Sequence, residues 1–292
     1  MIEQFLDYLR FEKNRSELTV QSYAKDLAAF EAYFRQLDAQ MSWQTVDADV
    51  LRGWMERMMD KGNSATSVGR RLSAVRSLYR YALGRGLVSR DPSLMVRGPK
   101  KERPLPQFLK EGEMDCLIDD AAWGNGFRDV RARTVLMVFY ETGIRLSELT
   151  GLDDASVDLE TGQLKVLGKR NKQRIVPFGA ELREALLRYQ SVRNRTVDRL
   201  DDALFVTDKG ARMSGAQVRY EVCKCLSRVS MLRKRSPHVL RHTFATAMLN
   251  HEAGIESVRM LLGHERLTTT EIYTHTTFEQ LRRVYKDAHP RA

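Results

Sequence analysis

A helix start is encoded in residues 236–242, which read Ser236-Pro237-His238-Val239-Leu240-Arg241-His242. Ser236 can cap a helix, and proline is favoured at the first helical position. His238 and Arg241 then lie three residues apart, on one face at the N-terminus of the helix. Free backbone N–H groups and the positive end of the helix dipole make such a terminus an anion site. The stretch therefore predicts a helix that begins at an anion, and a phosphate suits a histidine and an arginine placed there.

Two further segments follow on the C-terminal side of this helix. An amphipathic helix ends in Leu261-Leu262-Gly263-His264, where Gly263 is a natural terminator that places His264 just past the end. Nine residues later, Tyr273 lies within residues 268–275, whose threonines can cap a short helix. Without that context, a single tyrosine is most often a packing residue.

The region on the N-terminal side of residues 236–242 mixes helices with a hairpin. Residues 111–122 and 128–142 predict two helices, the second broken at Thr142-Gly143, and residues 144–149 resume a helical turn. Two short strands, 164–167 and 174–178, flank the polar turn Gly168-Lys169-Arg170-Asn171-Lys172-Gln173, which predicts a β-hairpin.

These segments, in this order and at this spacing, resemble the motifs of the tyrosine site-specific recombinases, the phage-integrase family. The resemblance rests on residues 142–149, 168–177, 238–242, 261–264 and 272–275. It is closest to the Xer branch, the XerC/XerD type, and runs from the N-terminal helices to the tail at residues 289–292. It implies a mainly α protein with a small β-sheet, built as a two-domain DNA clamp. An N-terminal helical core-binding domain and a C-terminal mixed α/β catalytic domain would close around the duplex.

The resemblance also implies a reaction. Tyr273 attacks a DNA phosphodiester, which leaves a 3′-phosphotyrosyl link and a free 5′-hydroxyl. A 5′-hydroxyl of the partner duplex then attacks that link, so strands exchange through a Holliday junction without hydrolysis, ATP or metal. By position, His238 is the general base, His264 donates to a non-bridging oxygen, and Lys169 is the general acid for the leaving oxygen. The implied catalytic residues are Arg145, Lys169, His238, Arg241, His264 and Tyr273.

The chemistry of these side chains fits that reaction. A free tyrosine has a pKa of about 10, so its deprotonation at pH 7 costs about 4 kcal/mol, which a base or a positive field must offset. The phosphate gains negative charge as it becomes pentacoordinate. Arg145 and Arg241 are permanently charged and can each form two bonds to it, so they can stabilise that charge.

Two of the assignments leave alternatives open. Family members often have glycine after the hairpin lysine, whereas Arg170 follows Lys169 in this sequence. Lys172 therefore competes with Lys169 as the general acid, its other role being contact with the DNA backbone. Glu148 either orients Arg145 as its ion-pair partner or is an exposed carboxylate of a helix.

The first 94 residues predict helices, and residues 64–83 form a helix with a basic side. That side carries Arg70, Arg71, Arg76 and Arg80, and eleven basic residues accompany two acidic ones between residues 61 and 103. A face of one sign predicts contact with a phosphate backbone, the alternative being a plain solvated face. Residues 95–106 hold three prolines and one glycine and predict a basic linker, whose Lys100 and Lys101 would follow the DNA. The predicted domains are 1–94 and 107–292, with 95–106 as the linker.

Composition limits the classes of protein. The 292 residues include 48 Lys plus Arg against 38 Asp plus Glu, and the formal net charge of +10 favours a polyanionic partner. No apolar run approaches the roughly 18 residues of a membrane helix, and the N-terminus lacks the layout of a signal peptide, which predicts a cytoplasmic protein without membrane contact. Cys116, Cys223 and Cys225 predict buried free thiols. No metal or cofactor is expected, because Val239 stands where a metal-binding His-Glu motif needs glutamate.

The resemblance implies partners as well. They are a double-stranded DNA recombination site, a tetramer of this chain or a paralogous recombinase on two such sites, and a DNA-translocase activator. The tail carries Phe278, Leu281, Val284 and Tyr285 at helical spacing, and it would dock onto a neighbouring protomer, the alternative being its own domain.

The implied function is the resolution of chromosome or plasmid dimers at cell division. One alternative is the integrase of a mobile element, which is disfavoured because core-binding helices that begin near Ile2 leave no room for an arm-binding domain. The others are a DNA-binding protein without catalysis and a type IB topoisomerase.

Overall fold

The computed structural model describes residues 1–100, 107–168, 172–229, 232, 235–263 and 275–292, the last range with side chains from Gln280 onward. The chain divides into two compact units, Met1–Pro104 and Leu105–Ala292. Four residues of the expected sites, Lys101, Lys169, His264 and Tyr273, lie outside the described residues. Among the described helices, none combines the length and the apolar character that crossing a membrane requires.

The N-terminal unit is helical, as the sequence predicts. Its elements are α1 (Ile2–Asp7) with a π-helical turn (Tyr8–Glu12), α2 (Glu17–Leu37), α3 (Ala48–Asp60), α4 (Ala65–Gly84) and a 3-10 turn (Pro92–Met95). Two of the helix starts have side-chain caps. The carboxylate of Asp47 accepts the N–H groups of Asp49 and Val50, and the hydroxyl of Ser64 accepts that of Ser67.

An aromatic core holds these helices together. The side of α4 opposite its basic side is buried, including Leu72 and Leu78, and Tyr79 donates a hydrogen bond from its hydroxyl to the carbonyl of Trp43 at 3.0 Å. Val96, near the start of the predicted linker, is also buried in this core. The first residues after the 3-10 turn therefore pack with the N-terminal unit.

The C-terminal unit is built around one buried helix. Its elements are α5 (Glu111–Ile118), a 3-10 turn (Asp120–Ala122), α6 (Phe127–Thr142), α7 (Leu146–Thr150), a 3-10 turn (Asp154–Ser156), β1 (Val157–Asp158), β2 (Gln163–Leu167), β3 (Gln173–Pro177), α8 (Ala180–Thr196), α9 (Gly215–Val229), α10 (Pro237–Asn250), α11 (Ile255–Leu262) and α12 (His275–Ala288). Helix α6 packs against α8 and α10, and every residue from Val135 to Ile144 is buried. A helix covered on all sides is the centre of its domain.

The predicted hairpin is present and belongs to a three-stranded antiparallel sheet in the order β1-β2-β3. Leu164 pairs with Val176, and Leu167 pairs with Gln173 next to the turn. Strand β1 was not predicted, because two residues are too short to show an alternating pattern. The last strand ends at Pro177 rather than Phe178.

Two local expectations are wrong. The helix expected over residues 111–122 ends at Ile118, because Asp119 leaves the helical conformation and its carboxylate caps the 3-10 turn at the N–H of Ala121. The thiols are not all buried: Cys116 is exposed, Cys223 is partly covered and only Cys225 is buried. Cys116 lies on the outer side of the short helix α5, whose buried side carries Met114, Leu117 and Ile118.

The tail helix α12 packs on its own unit in this structure. Leu281 and Tyr285 are buried in a cluster with Phe244 and Met248 of α10. The side chain of Phe278 lies outside the described residues. Of the two readings of the tail, the described residues show the intramolecular one.

Candidate active site

Arg145 is placed by the break between α6 and α7. Gly143 ends α6 with a φ of +59°, and a Cβ built there would lie 2.5 Å from Phe244 Cδ1 and 2.9 Å from Leu262 Cδ2. Only glycine meets both the left-handed conformation and the close approach of α10 and α11. The chain then turns so that Arg145 is the N-cap of α7.

Glu148 holds Arg145 by two contacts. Its Oε2 accepts the backbone N–H of Arg145 at 2.7 Å, and its Oε1 accepts Nη1 of the Arg145 guanidinium at 2.9 Å. The side chain of Glu148 is 1% exposed. The alternative of an exposed helix carboxylate is therefore wrong, and the contact with Arg145 is formed.

Helix α10 begins where the sequence places it, with Pro237 at the first position and Ser236 as the N-cap. The capping expectation is only half right, because the side chain of Ser236 makes no capping hydrogen bond. His238 reaches solvent at the start of the helix, whereas Arg241, one turn later, is buried. The guanidinium of Arg241 donates to the carbonyl oxygens of Gly143 at 2.6 Å and Leu262 at 2.7 Å.

Three arginines meet at the C-terminal end of α11, which Gly263 closes in the left-handed conformation as predicted. Arg174 Nε donates to the carbonyl of Leu261 at 3.2 Å, Arg241 Nη2 to that of Leu262, and Arg145 Nη2 to that of Gly263 at 2.8 Å. Carbonyls in the last turn of a helix have no intrahelical partner, and the helix dipole favours cations there. The end of α11, directly before His264, is thereby fixed against Arg145 and Arg241.

The cluster carries a net positive charge. Among the described residues, Arg145, Arg174 and Arg241 lie around one carboxylate, that of Glu148. Burial, followed by the charge of Arg145, lowers the pKa of Arg241 to about 10, so its guanidinium stays charged at neutral pH. Burial opposes the charged form of Glu148, yet the hydrogen bonds from Arg174 and Arg145 hold its pKa at about 2. Such a cluster suits the developing charge of a phosphate.

His238 has the protonation state of a base. The loss of solvent around part of its ring, and then the positive charges of Arg219 and Arg241, lower the pKa of His238. A neutral imidazole is favoured at neutral pH and can accept a proton.

Arg174 is a site residue that the sequence analysis missed. It lies on β3, next to the hairpin turn, and its guanidinium binds both oxygens of Glu148, Oε1 at 2.6 Å and Oε2 at 2.9 Å. The available signal was its place beside the lysine-bearing turn, but in sequence it is indistinguishable from an arginine that faces solvent.

The expected DNA-binding arginines of α4 differ in their partners. The carboxylate of Asp26 in α2 is nearly buried and forms a salt bridge with Arg70. Its Oδ1 lies 3.8 Å from Nε of Arg71. Arg76 donates to the carbonyl of Val96 at 2.5 Å. Arg80 is exposed, as are Lys100 and Lys172. The basic side of α4 is thus partly neutralised inside its own unit, because a carboxylate distant in sequence lies against it.

No group of three histidine, cysteine, aspartate or glutamate side chains is arranged to hold a metal ion within the described ranges.

Comparisons with known proteins identify the family. The phage integrase family matches residues 107–280, and the N-terminal SAM-like domain of phage integrases matches residues 2–86. Tyrosine recombinase XerC of Pelotomaculum thermopropionicum is 39% identical over 303 aligned residues, which cover 100% of this chain and 98% of that protein. Tyrosine recombinase XerD of Oceanobacillus iheyensis is 34% identical over 295 aligned residues, which cover 100% of this chain and 98% of that protein.

A solved structure shows the same fold. The crystal structure of XerH site-specific recombinase bound to difH substrate, a pre-cleavage complex, matches with a TM-score of 0.70 at 23% identity, over 96% of this chain and 83% of that chain. The helical fold with a small sheet, predicted from the sequence, is confirmed. The chain belongs to the phage integrase family and is a site-specific tyrosine recombinase, an enzyme that cuts and rejoins DNA strands.

Proposed function

We propose that this recombinase acts on a double-stranded site through a 3′-phosphotyrosyl intermediate and a Holliday junction, and that it resolves chromosome or plasmid dimers at cell division. Relatives that match the full chain carry the names XerC and XerD, and XerH was solved on its difH substrate. The likeness to these proteins supports a duplex DNA partner for this chain.

The convergence of Arg145 and Arg241 on the end of α11 carries the proposal. Both guanidinium groups donate to consecutive carbonyls of residues 262 and 263, and His264 follows next in the chain. The side chain of Arg145 is 35% exposed, so a phosphate can approach it. Preorganised cations of this kind stabilise a pentacoordinate phosphate without reorganising during the reaction.

The remaining roles follow from chemistry and from motif order. Tyr273 is the nucleophile, and His238, whose pKa is lowered, accepts its proton. His264 donates to a non-bridging oxygen. Lys169 protonates the leaving 5′-oxygen, with Lys172, exposed after the turn, as the competing general acid.

Exposed basic residues hold the duplex. Arg80, Lys100 and Lys172 are the exposed cations among the described members of the expected set, and Arg70 keeps 48% of its side chain exposed beside Asp26. Arg71 and Arg76 act chiefly through their internal partners. Residues 1–94 form the core-binding domain and 107–292 the catalytic domain of a clamp joined by 95–106, with Lys101 in the linker. Four such chains, this one alone or with a paralogous recombinase, join two sites, and a DNA translocase activates them.

The test is a nicked suicide substrate that carries a candidate core site. The wild-type chain and Tyr273→Phe are incubated with it and resolved on a denaturing gel. We expect a covalent protein–DNA band in the wild type alone, because the nick releases the leaving strand and traps the phosphotyrosyl link. An adduct that persists in Tyr273→Phe would contradict the nucleophile assignment.

The dimer-resolution role needs a second substrate. A plasmid with two directly repeated copies of the site should yield two smaller circles, and a linear target without a second site should stay unchanged. Efficient insertion of one circle into another, without resolution of the repeats, would favour the mobile-element alternative.

A further inference from the structure

Within the described residues, the side chain of Arg174 makes three hydrogen bonds to the active-site cluster, and those of Arg145 and Arg241 make two each. Its two terminal nitrogens each bind one oxygen of Glu148, and its Nε donates to the Leu261 carbonyl. The side chain is 13% exposed, against 35% for Arg145. Arg174 therefore joins the hairpin to both α7 and α11.

These contacts hold the guanidinium of Arg174 against protein acceptors and restrict its movement toward a phosphate. Each nitrogen of the Arg174 guanidinium has a protein acceptor, and the two bonds to Glu148 have the parallel geometry that fixes an arginine most firmly. The guanidinium of Arg145, in contrast, donates one hydrogen bond to Glu148 Oε1 and one to the Gly263 carbonyl. Arg174 acts through other residues, and Arg145 is the one that meets the substrate.

The close fit extends to Gly263. A Cβ built on Gly263 would lie 3.1 Å from Cζ, Nε and Nη1 of Arg174, so the guanidinium packs flat against the glycine backbone. The same glycine has a φ of +66°, and its carbonyl oxygen accepts a hydrogen bond from Arg145. The position of Arg174 thus sets where the chain leaves α11 toward His264.

We propose that Arg174 is a positioning residue for strand cleavage: through Glu148 it fixes the guanidinium of Arg145, and through the Leu261 carbonyl it fixes the helix end that precedes His264. The role rests on the proposed function, since it concerns the same cleavage step. Lysine does not reproduce these contacts, because its donors lie on one nitrogen, whereas the planar guanidinium reaches Glu148 and the Leu261 carbonyl from three separate nitrogens.

The first experiment measures single-turnover cleavage of the nicked substrate at saturating DNA for Arg174→Lys, Glu148→Gln and the double variant. We expect Arg174→Lys to slow cleavage about 10- to 100-fold, the effect of a small displacement of a catalytic group, and to leave the Kd for DNA within about threefold. In the Glu148→Gln background the same change should cost clearly less than in the wild type, because the contact through Glu148 is already lost and only the one with the Leu261 carbonyl remains. Arg195→Lys, the same substitution at an exposed arginine of α8, should change the rate less than about twofold.

A second measurement does not use DNA. Urea unfolding of the wild type, the two single variants and the double variant gives the coupling between Arg174 and Glu148, which should change the unfolding equilibrium constant at least about fivefold. If the wild type forms no adduct, the proposed function fails, and this cycle still decides whether Arg174 fixes Glu148.

Three results would overturn the inference. They are cleavage by Arg174→Lys at the wild-type rate, rate losses that multiply fully in the double variant, and an unfolding cycle without coupling. A loss of activity that only follows the unfolded fraction of Arg174→Lys would also assign it a purely structural role. Circular dichroism at the assay temperature measures that fraction.

Discussion

Glu141 and Glu148 are both buried carboxyl groups of the C-terminal unit, yet their pKa values are shifted in opposite directions. Glu141, near the end of α6, is fully buried, and burial together with the charge of Glu181 raises its pKa to about 8. Glu148, in α7, is equally covered, but hydrogen bonds from Arg174 and Arg145 hold its pKa at about 2. Burial alone makes a carboxyl neutral, and arginines placed around it keep it charged.

The two carboxyl groups also hold different parts of the molecule. The hydroxyl of Tyr285 in the tail helix donates to Oε2 of Glu141 at 3.5 Å, and Oε1 has no partner within the described residues. Glu148 is bound by two guanidinium groups and one backbone N–H. The first contact joins the tail to the core, and the second organises charged groups for chemistry.

The largest expected difference is in stability. Glu148→Gln should lower the free energy of unfolding at pH 7 by about 3–5 kcal/mol, because it removes the buried carboxylate that is the counter-charge of Arg145 and Arg174. Glu141→Gln should not lower it and should raise it, because at pH 7 the folded chain keeps a proton on Glu141 that the unfolded chain loses, and glutamine removes that cost. Urea unfolding of both variants measures the difference. Equal losses would mean that Glu141 is charged in the folded chain.

Arg241→Lys tests whether the arginines around Glu148 contribute to cleavage. We expect cleavage about 10²- to 10³-fold slower, the cost of losing a preorganised donor. Lysine cannot serve the carbonyls of Gly143 and Leu262 and a phosphate together. Single-turnover cleavage with Arg195→Lys as the control measures the effect, and a loss below about threefold would remove Arg241 from the catalytic set.

The pH dependence of stability separates the two glutamates. The pKa of Glu141 is about 8 in the folded chain against 4.5 for the ordinary group, so the folded chain keeps this proton while the unfolded chain loses it. Stability from Glu141 is therefore full below 4.5 and falls as the pH rises to about 8, by up to about 1.4 kcal/mol per pH unit. For Glu148 the sign reverses, and stability is lost as the pH falls from 4.5 to about 2.

Thermal unfolding between pH 7 and 8.5 isolates the effect of Glu141 from that of its neighbour His289. Burial lowers the pKa of His289 to about 4, so its contribution to stability changes only at more acidic pH, below the ordinary value of 6.5. The Tm of the wild type should fall across this range, and that of Glu141→Gln should fall less. Parallel curves for the two proteins would contradict the raised pKa of Glu141.

The smallest effects are expected in the N-terminal unit. There Asp26 is a third carboxylate that pairs with an arginine, but its partner Arg70 is half-exposed. Arg80→Ala should weaken DNA binding and reduce the slope of log K against log salt by about 0.9, the share of one phosphate contact. Arg76→Ala is the matched control on the same helix, because Arg76 already donates to Val96. Equal slopes for Arg80→Ala and the wild type would exclude Arg80 from the DNA contacts.

Much of the fold could be predicted because its signals are local. The buried stripe of α4 repeats at helical spacing, and Gly143 and Gly263 stop their helices at the predicted residues. The ends of short elements depend on contacts beyond the local pattern. Strand β1 is two residues long, and α5 stops at Ile118 because the conformation of Asp119 is set by a turn that follows it.

The sequence by itself determined the order of the motifs, the helical periodicity and the family, because each depends on residue types at fixed spacings. The tertiary structure alone decided which charges meet. Glu148 is brought to Arg174 across 26 residues, and Asp26 to Arg70 across 44. It also decided that Glu141 is neutral and Glu148 charged, since the pKa of a carboxyl depends on burial and on neighbouring cations that only the folded chain assembles.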